Sequence, residues 1–285
     1  MTNFVVSSGV TSSGIELGLS DTLQILPGGI ASGTVVSGGS GYVSGASFFT
    51  HLTAFSASTE TIFSGGSATQ TTVDAGQQVV SAGGIAISTT VNQTFNGLVV
   101  SSGGIASATY IGLTATISVL SGGVTSNTSA LGAENVGAGG KAFGTILLPD
   151  TAANTQQNVD SGGLAVGTLV GSHSFLNVSA GGTASNAVLA SGGLMFLRGT
   201  GSGTVVSGGS ETVVAGGLAL FTTVNSGGVE ILSSGGQAGD TLSGPTAINS
   251  GGVQQVLSSG RALGAVVTAA ASRSSARVGL PTKRN

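Results

Sequence analysis

The chain has 285 residues, 52 of them glycine, no cysteine and no tryptophan, with 40% hydrophobic and only 6% charged residues. A globular domain usually carries about a quarter charged residues, and a disordered chain is poor in apolar ones, so this composition excludes both an ordinary charged-surface domain and a disordered segment. The net charge is −3, and four of the seven basic residues (Arg273, Arg277, Lys283, Arg284) fall in the last thirteen positions, so the acidic remainder argues against a nucleic-acid backbone as ligand.

Residues 1–24 are expected to form an N-terminal cap or first irregular rung. Met1-Thr2-Asn3-Phe4-Val5-Val6 has no basic segment before it reaches Ser7-Ser8-Gly9, so no signal peptide is read there. No stretch has the roughly twenty apolar residues of a membrane helix.

From residue 25 a doubled glycine returns with a period of about nineteen. Gly208-Gly209, Gly216-Gly217, Gly227-Gly228 and Gly235-Gly236 are spaced 8, 11 and 8 apart, and the same nineteen separates Gly162 from Gly181 and Gly103 from Gly122. A fixed period of this length marks a solenoid whose units bury their apolar faces only by stacking. The glycines leave no room for a helix, and the runs between them are rich in Val, Ile and Thr, so the units are strands. The fold class predicted is all-β, a single parallel β-helix over residues 25–268. About twelve rungs fit between Gly28 and the Ser259-Gly260 corner, followed by a disordered basic tail at 269–285.

The first glycine class opens the phrase Gly-Gly-x-Ala-x-x-Thr-x-Val. Its Ala column reads Ala31, Ala68, Ala86, Ala106, Ala142, Ala165, Ala184, Ala219, Ala238 and Ala262. Three residues on stand Thr34, Thr71, Thr89, Thr109, Thr145, Thr168, Thr222 and Thr241, with Ala187 and Ala265 as exceptions. A Val/Ile/Leu column follows two residues later, broken by Ser243. Ala has the opposite parity to Thr and Val, so all three face the core only if the chain bends between Ala and Thr. Gly33, Gly144, Gly167, Gly239 and Gly264 sit where that bend is needed.

The second class carries Gly-Gly-x-[Glu/Gln]-x-Val. Glu211, Glu230 and Gln254 precede Val213, Leu232 and Val256, and Gln78 precedes Val80. The acid is expected in solvent and the Val in the core, which requires a bulge or corner between residues of equal parity. Glu211 and Glu230 then stack on the surface as like charges relieved by water.

Three segments depart from the period. Residues 41–64 lack glycine pairs and carry Phe48, Phe49, Phe55 and Phe63; residues 148–158 read as a polar loop; and Gly192 to Gly208 and Gly235 to Gly251 each span 16 residues, or eleven plus a five-residue insertion.

Catalytic chemistry finds little support. Polysaccharide-cleaving β-helices need clustered carboxylates, and only Asp150 and Asp160 with Lys141 fall in neighbouring rungs. His51 and His173 sit in unrelated contexts, and no calcium-binding nonapeptide occurs, so no metal and no cofactor are expected. An ice-binding threonine array would have to face outward, against the parity of the Thr column.

The phrase Ser-Gly-Gly-x-Ala-x-x-Thr-x-Val…Asn-Ser-Gly-Gly-x-Glu-x-Val-Ser-Ser-Gly-Gly, clearest over residues 207–241 and extending over about 25–268, resembles the repeat of diffuse-adherence-type (AIDA-like) autotransporter adhesin passengers of Gram-negative bacteria. The resemblance implies a right-handed β-helical passenger, non-enzymatic and displayed on the outer membrane or secreted. Its partners would be host-cell or sister-cell surface components, glycans among them, with membrane attachment only through a translocator domain. It also implies a heptosyltransferase that modifies Ser and Thr, with Ser207, Ser226, Ser234 and Ser250 as the matching glycosylation positions. The readings kept beside it are a carbohydrate-active enzyme using residues 141–160, and an inert structural stalk.

Overall fold

Every strand is two to four residues long, because a glycine corner or a left-handed residue turns the chain before it can extend further. The computed structural model describes residues 1–53, 58–92, 97–149, 155–240, 244–268 and, as backbone alone, 272–275. The 43 strands among these residues form three parallel sheets of 15, 14 and 14 strands, and each strand pairs with the one three places on. This is the parallel β-solenoid the glycine rhythm predicts, with no helix among the described residues. Twelve turns separate Ile30–Ser32 from Arg261–Ala262, matching the count made between Gly28 and Gly260. At about 4.8 Å per turn the shaft is roughly 60–65 Å long.

The winding begins earlier than the glycine pairs suggest. Asn3–Val6, Thr11–Ser13 and Glu16–Leu17 pair in register with Thr22–Ile25, Ile30–Ser32 and Val35–Val36. At the other end, Ser272–Ser275 pairs with Val253–Val256. The remainder of the tail expected to be disordered lies outside the described residues.

The Ala, Thr and Val columns all face the core. Ala86 pairs with Ala106 and Ala165 with Ala184 in strict register, each at most 1% exposed. Thr71, Thr89, Thr109, Thr145, Thr168 and Thr222 are buried beside them. The bend that this requires is a single left-handed residue between the second and third strand of each turn. Glycine occupies it at Gly33, Gly144 and Gly167, but Gln70, Ser88, Ala108 and Asn127 adopt the same positive φ. A non-glycine residue there costs roughly 1–2 kcal/mol, which the backbone bonds to the turns on either side offset.

The second phrase folds differently from the expectation. No bulge or corner separates the Glu/Gln from the following Val. Glu211 and Val213 lie two apart in one straight strand, Ser210–Val213, and both are buried. Equal parity puts both side chains on the core side of the strand, the carboxyl included. Glu60, Gln78, Glu134, Gln157, Glu211, Glu230 and Gln254 are all at most 1% exposed. Burial of a carboxyl is tolerated only with hydrogen-bond donors at hand, and the Thr column supplies them. Glu134 accepts from Thr125 and Thr128 on Oε1 at 2.8 and 3.2 Å, and from Thr145 and Gln157 on Oε2, both at 2.7 Å. Glu60 accepts from Ser47, Thr71 and Gln78.

The core is therefore a stack of alternating apolar and polar layers. Leu98 and Ile117, and later Leu176 and Met195, occupy the same column as these acids. Beside Leu98 the hydroxyl of Thr109 has no partner.

The departures from period also resolve. Residues 41–53 and 58–64 wind regularly, with Ser47, Thr50 and Leu52 taking the Ala, Thr and Val places; Phe55 lies outside the described residues. The loop expected at 148–158 does not include 156–158, because Gln156–Val159 is a strand of the first sheet, and 150–154 lie outside the described residues. The stretch from Gly192 to Gly208 holds no insertion. It is one complete but shortened turn, Leu194–Leu197, Thr200–Ser202 and Val205–Val206. The stretch from Gly235 to Gly251 does carry one, between the second and third strands. Thr246 and Ile248, both buried, take the core places assigned by spacing to Thr241 and Ser243, which lie outside the described residues.

Candidate functional site

Burial of Glu60, Glu134, Glu211 and Glu230 removes four of the ten acids from the surface. Stacked Glu211 and Glu230 are thus not surface charges relieved by water; they are paired residues of adjacent core strands. Burial pushes the Glu211 carboxyl up to about 8, and Glu230 adds to the rise.

Of the trio Lys141, Asp150 and Asp160, the first and last are exposed and form no ion pair with each other, while Asp150 lies outside the described residues. The two histidines stay apart. His173 Nδ1 bonds the hydroxyl of Ser172 at 2.8 Å, whereas His51 Nε2 bonds Asp74. Asp74 also accepts from the amide of Asn92, one turn further along. The Asn92 amide and then His51 hold the Asp74 carboxyl below its usual range. No three His, Asp or Glu among the described residues are gathered as a metal would need.

This ladder edges a shallow depression of about 420 Å³ lined by Asp74, Asn92, Tyr110, Gly112, Leu113 and Leu131. It is open and carries a single carboxylate, so it lacks the opposed acid pair of a glycosidase. The surface consists of long walls, with aromatic pairs at Tyr42–Phe63 and Phe175–Phe196, whose ring centroids are 6.2 and 6.3 Å apart.

The four candidate glycosylation serines fall on two corners. Ser207, Ser226 and Ser250 follow the third strand in three successive turns, and Ser234 follows the first strand. Ser226, Ser234 and Ser250 are exposed; Ser207 is half-buried and accepts from Asn225 at 3.1 Å. The structure adds a longer series at the Ser234 corner. Ser64, Ser102, Ser121 and Ser161 occupy the same exposed position directly before a glycine pair, and Ser8 occupies it before the single Gly9. Their hydroxyls lean on the next turn, where a side chain at Gly28, Gly83, Gly122, Gly139 or Gly181 would collide with them. The signal was legible as Ser immediately before Gly-Gly, repeated along the chain.

The chain matches no protein-family model and none of the curated proteins. Among solved structures, the TibC-catalyzed hyper-glycosylated TibA55-350 fragment superposes with a TM-score of 0.86 at 31% identity, over 94% of this chain and 98% of that one. Shared over nearly the whole of both chains, the coil and its repeat show that this protein belongs to the AIDA-like family of autotransporter adhesin passengers.

Proposed function

We propose that this chain is a non-enzymatic adhesin passenger that joins cells to one another or to host surfaces through an extended wall of the solenoid, displayed on the outer membrane or secreted. The observation that carries the reading is the match, over 98% of its length, to a fragment described as hyper-glycosylated by TibC. The surface supports it, because four of the ten acids are buried in the core and the exposed ones among the described residues are dispersed along the shaft. A glycosyltransferase, a heptosyltransferase by the family resemblance, would modify hydroxyls at the serine corners, where glycans stand clear of the sheet hydrogen bonds. Ser226, Ser234 and Ser250 would be modified ahead of Ser207, whose hydroxyl is engaged by Asn225.

The test is display of the chain on non-adherent cells, with and without a co-expressed heptosyltransferase. Adherence or aggregation is scored, and sugar-bearing peptides are identified by mass spectrometry. Gain of attachment without turnover of polysaccharide supports the adhesin. Turnover abolished by Asp160→Ala would establish an enzyme instead, and display without any gain in attachment would leave a structural stalk.

A further inference from the structure

The three polar layers of the core differ in their supply of donors. Glu60 receives three donors and Glu134 four. In both layers the next turn places a Gln above the Glu, and its Nε2 donates to the acid at 2.7 Å. The layer at Ser210–Val213, Val229–Leu232 and Val253–Val256 stacks two acids before the Gln: Glu211, Glu230, Gln254. Gln254 donates to Glu230 at 2.6 Å and Thr246 donates to it at 3.3 Å. Glu211 accepts in good geometry from Thr222, on Oε2 at 3.1 Å, with the Thr204 hydroxyl a weaker second neighbour, and its Oε1 is buried without a well-formed bond.

Two carboxylates stacked one strand apart in a dry core repel strongly, and an ionised buried one with so few donors is costly. The groups facing Glu211 offer no compensating charge. Met195 lies below it, Gly201 and Ala219 are in the second sheet, Thr204 and Thr222 are at the corners, and Glu230 is above; beyond Glu230 comes Gln254. Nor is there room for an ion, because even a Cβ added at Gly201 would meet Leu197 at 2.9 Å, Glu211 Oε1 at 3.4 Å and Met195 at 3.5 Å. A proton needs no space and removes both charge and repulsion.

We propose that the core binds one proton at the Glu211–Glu230 pair, held on Glu211 as a neutral carboxylic acid at neutral pH, and that its release loosens this part of the coil. This is a binding site internal to the shaft and independent of any adhesive surface. The direction follows from linkage. The folded chain keeps a proton that the unfolded chain loses near pH 4.5, so the stabilisation is full below that pH and fades as pH rises towards about 8.

The experiment is hydrogen exchange on the whole chain at pH 5 to 9, read as protection factors for the amides of 210–213 and 229–232, in wild type, Glu211→Gln and Glu230→Gln. Wild-type protection should fall relative to Glu211→Gln by up to about a thousandfold across that range. Glu60-layer amides at 59–62 should show no such difference. Infrared spectroscopy of the wild type at pH 7 should show a protonated carboxyl band that deuteration shifts and base removes, so the proposal stays testable if a variant fails to fold. A wild-type slope unchanged in both Gln variants, or absence of that band, overturns it. So does a rise in wild-type protection at pH 9 on adding sodium, potassium or calcium that Glu211→Gln lacks, because a cation would then occupy the place given to the proton.

Discussion

Gln157 lies directly above Glu134 in the core, its side-chain amide donating to Glu134 Oε2 at 2.7 Å while its own carbonyl accepts from Thr168. A Gln can both give and accept, so it caps the acid beneath it and hands the next turn a satisfied surface on which an apolar layer, Leu176, is laid.

That relationship predicts an asymmetry between single and paired substitution. Gln157→Leu removes one of four donors from a buried carboxyl and should cost about 2–4 kcal/mol. Glu134→Leu combined with Gln157→Leu recreates the Leu98–Ile117 type of layer and should recover more than half of the loss. Denaturant unfolding of the two singles and the double measures it, and a double that is no better than Gln157→Leu alone contradicts the layered account.

The two glycines of a pair should fail for different reasons. Gly103 has a φ of +74°, but an added Cβ would come no nearer than 3.4 Å to Ala82, so Gly103→Ala should cost only the backbone strain of about 1–2 kcal/mol. Gly104 has no positive φ, yet its Cβ would drive into the carbonyl of Val80 in the turn below. Gly104→Ala should therefore cost more, about 3 kcal/mol or above, because backbone must move. Thermal melts of the pair of variants decide the order.

Gly41 offers a gain. It occupies the core column between Leu23 and Glu60, without a positive φ, and an added Cβ would find its nearest neighbours at 3.8 and 3.9 Å. Gly41→Ala should stabilise the protein by about 0.4–1 kcal/mol through reduced freedom of the unfolded chain. A lower melting temperature would show that this layer is already full.

The His51–Asp74–Asn92 ladder gives a dependence at acid pH. Asp74 is held below its ordinary value of 3.8, so its contribution is present above that value and is lost as pH falls through the lower folded one. Asp74→Ala should lower the melting temperature slightly at pH 7 and leave it unchanged near pH 2. The effect is small because Asp74 is half exposed and screened. A loss of equal size at both pH values would mean that the carboxylate's charge is irrelevant there.

The columns of Ala, Thr and Val were readable because glycine punctuates each turn and side-chain parity is a rigid rule of extended chains. The buried acids were not, because hydropathy places Glu in water and its donors stand far away in sequence. The pairing nevertheless has a signature. Glu60 and Thr71, Gln78 and Thr89, Glu134 and Thr145, Gln157 and Thr168, and Glu211 and Thr222 are all eleven apart. Glu230 and Thr246 are sixteen apart, which is eleven plus the five-residue insertion. That constant offset also corrects the assignment of Thr241. The serine corners were partly legible, since the repeat places a hydroxyl before Gly-Gly, but exposure separates Ser226 from Ser207 only once neighbouring turns are in place.

Each strand bonds only to the strand one winding before and one winding after it, so no part of the shaft depends on a distant part. The gene can thus lengthen or shorten the protein in nineteen-codon steps, changing the length of the shaft by about 5 Å at a time. The constraint falls on which layers meet at the new junction: a duplicated unit that sets one unshielded acid on another acquires a requirement for protons along with its extra length.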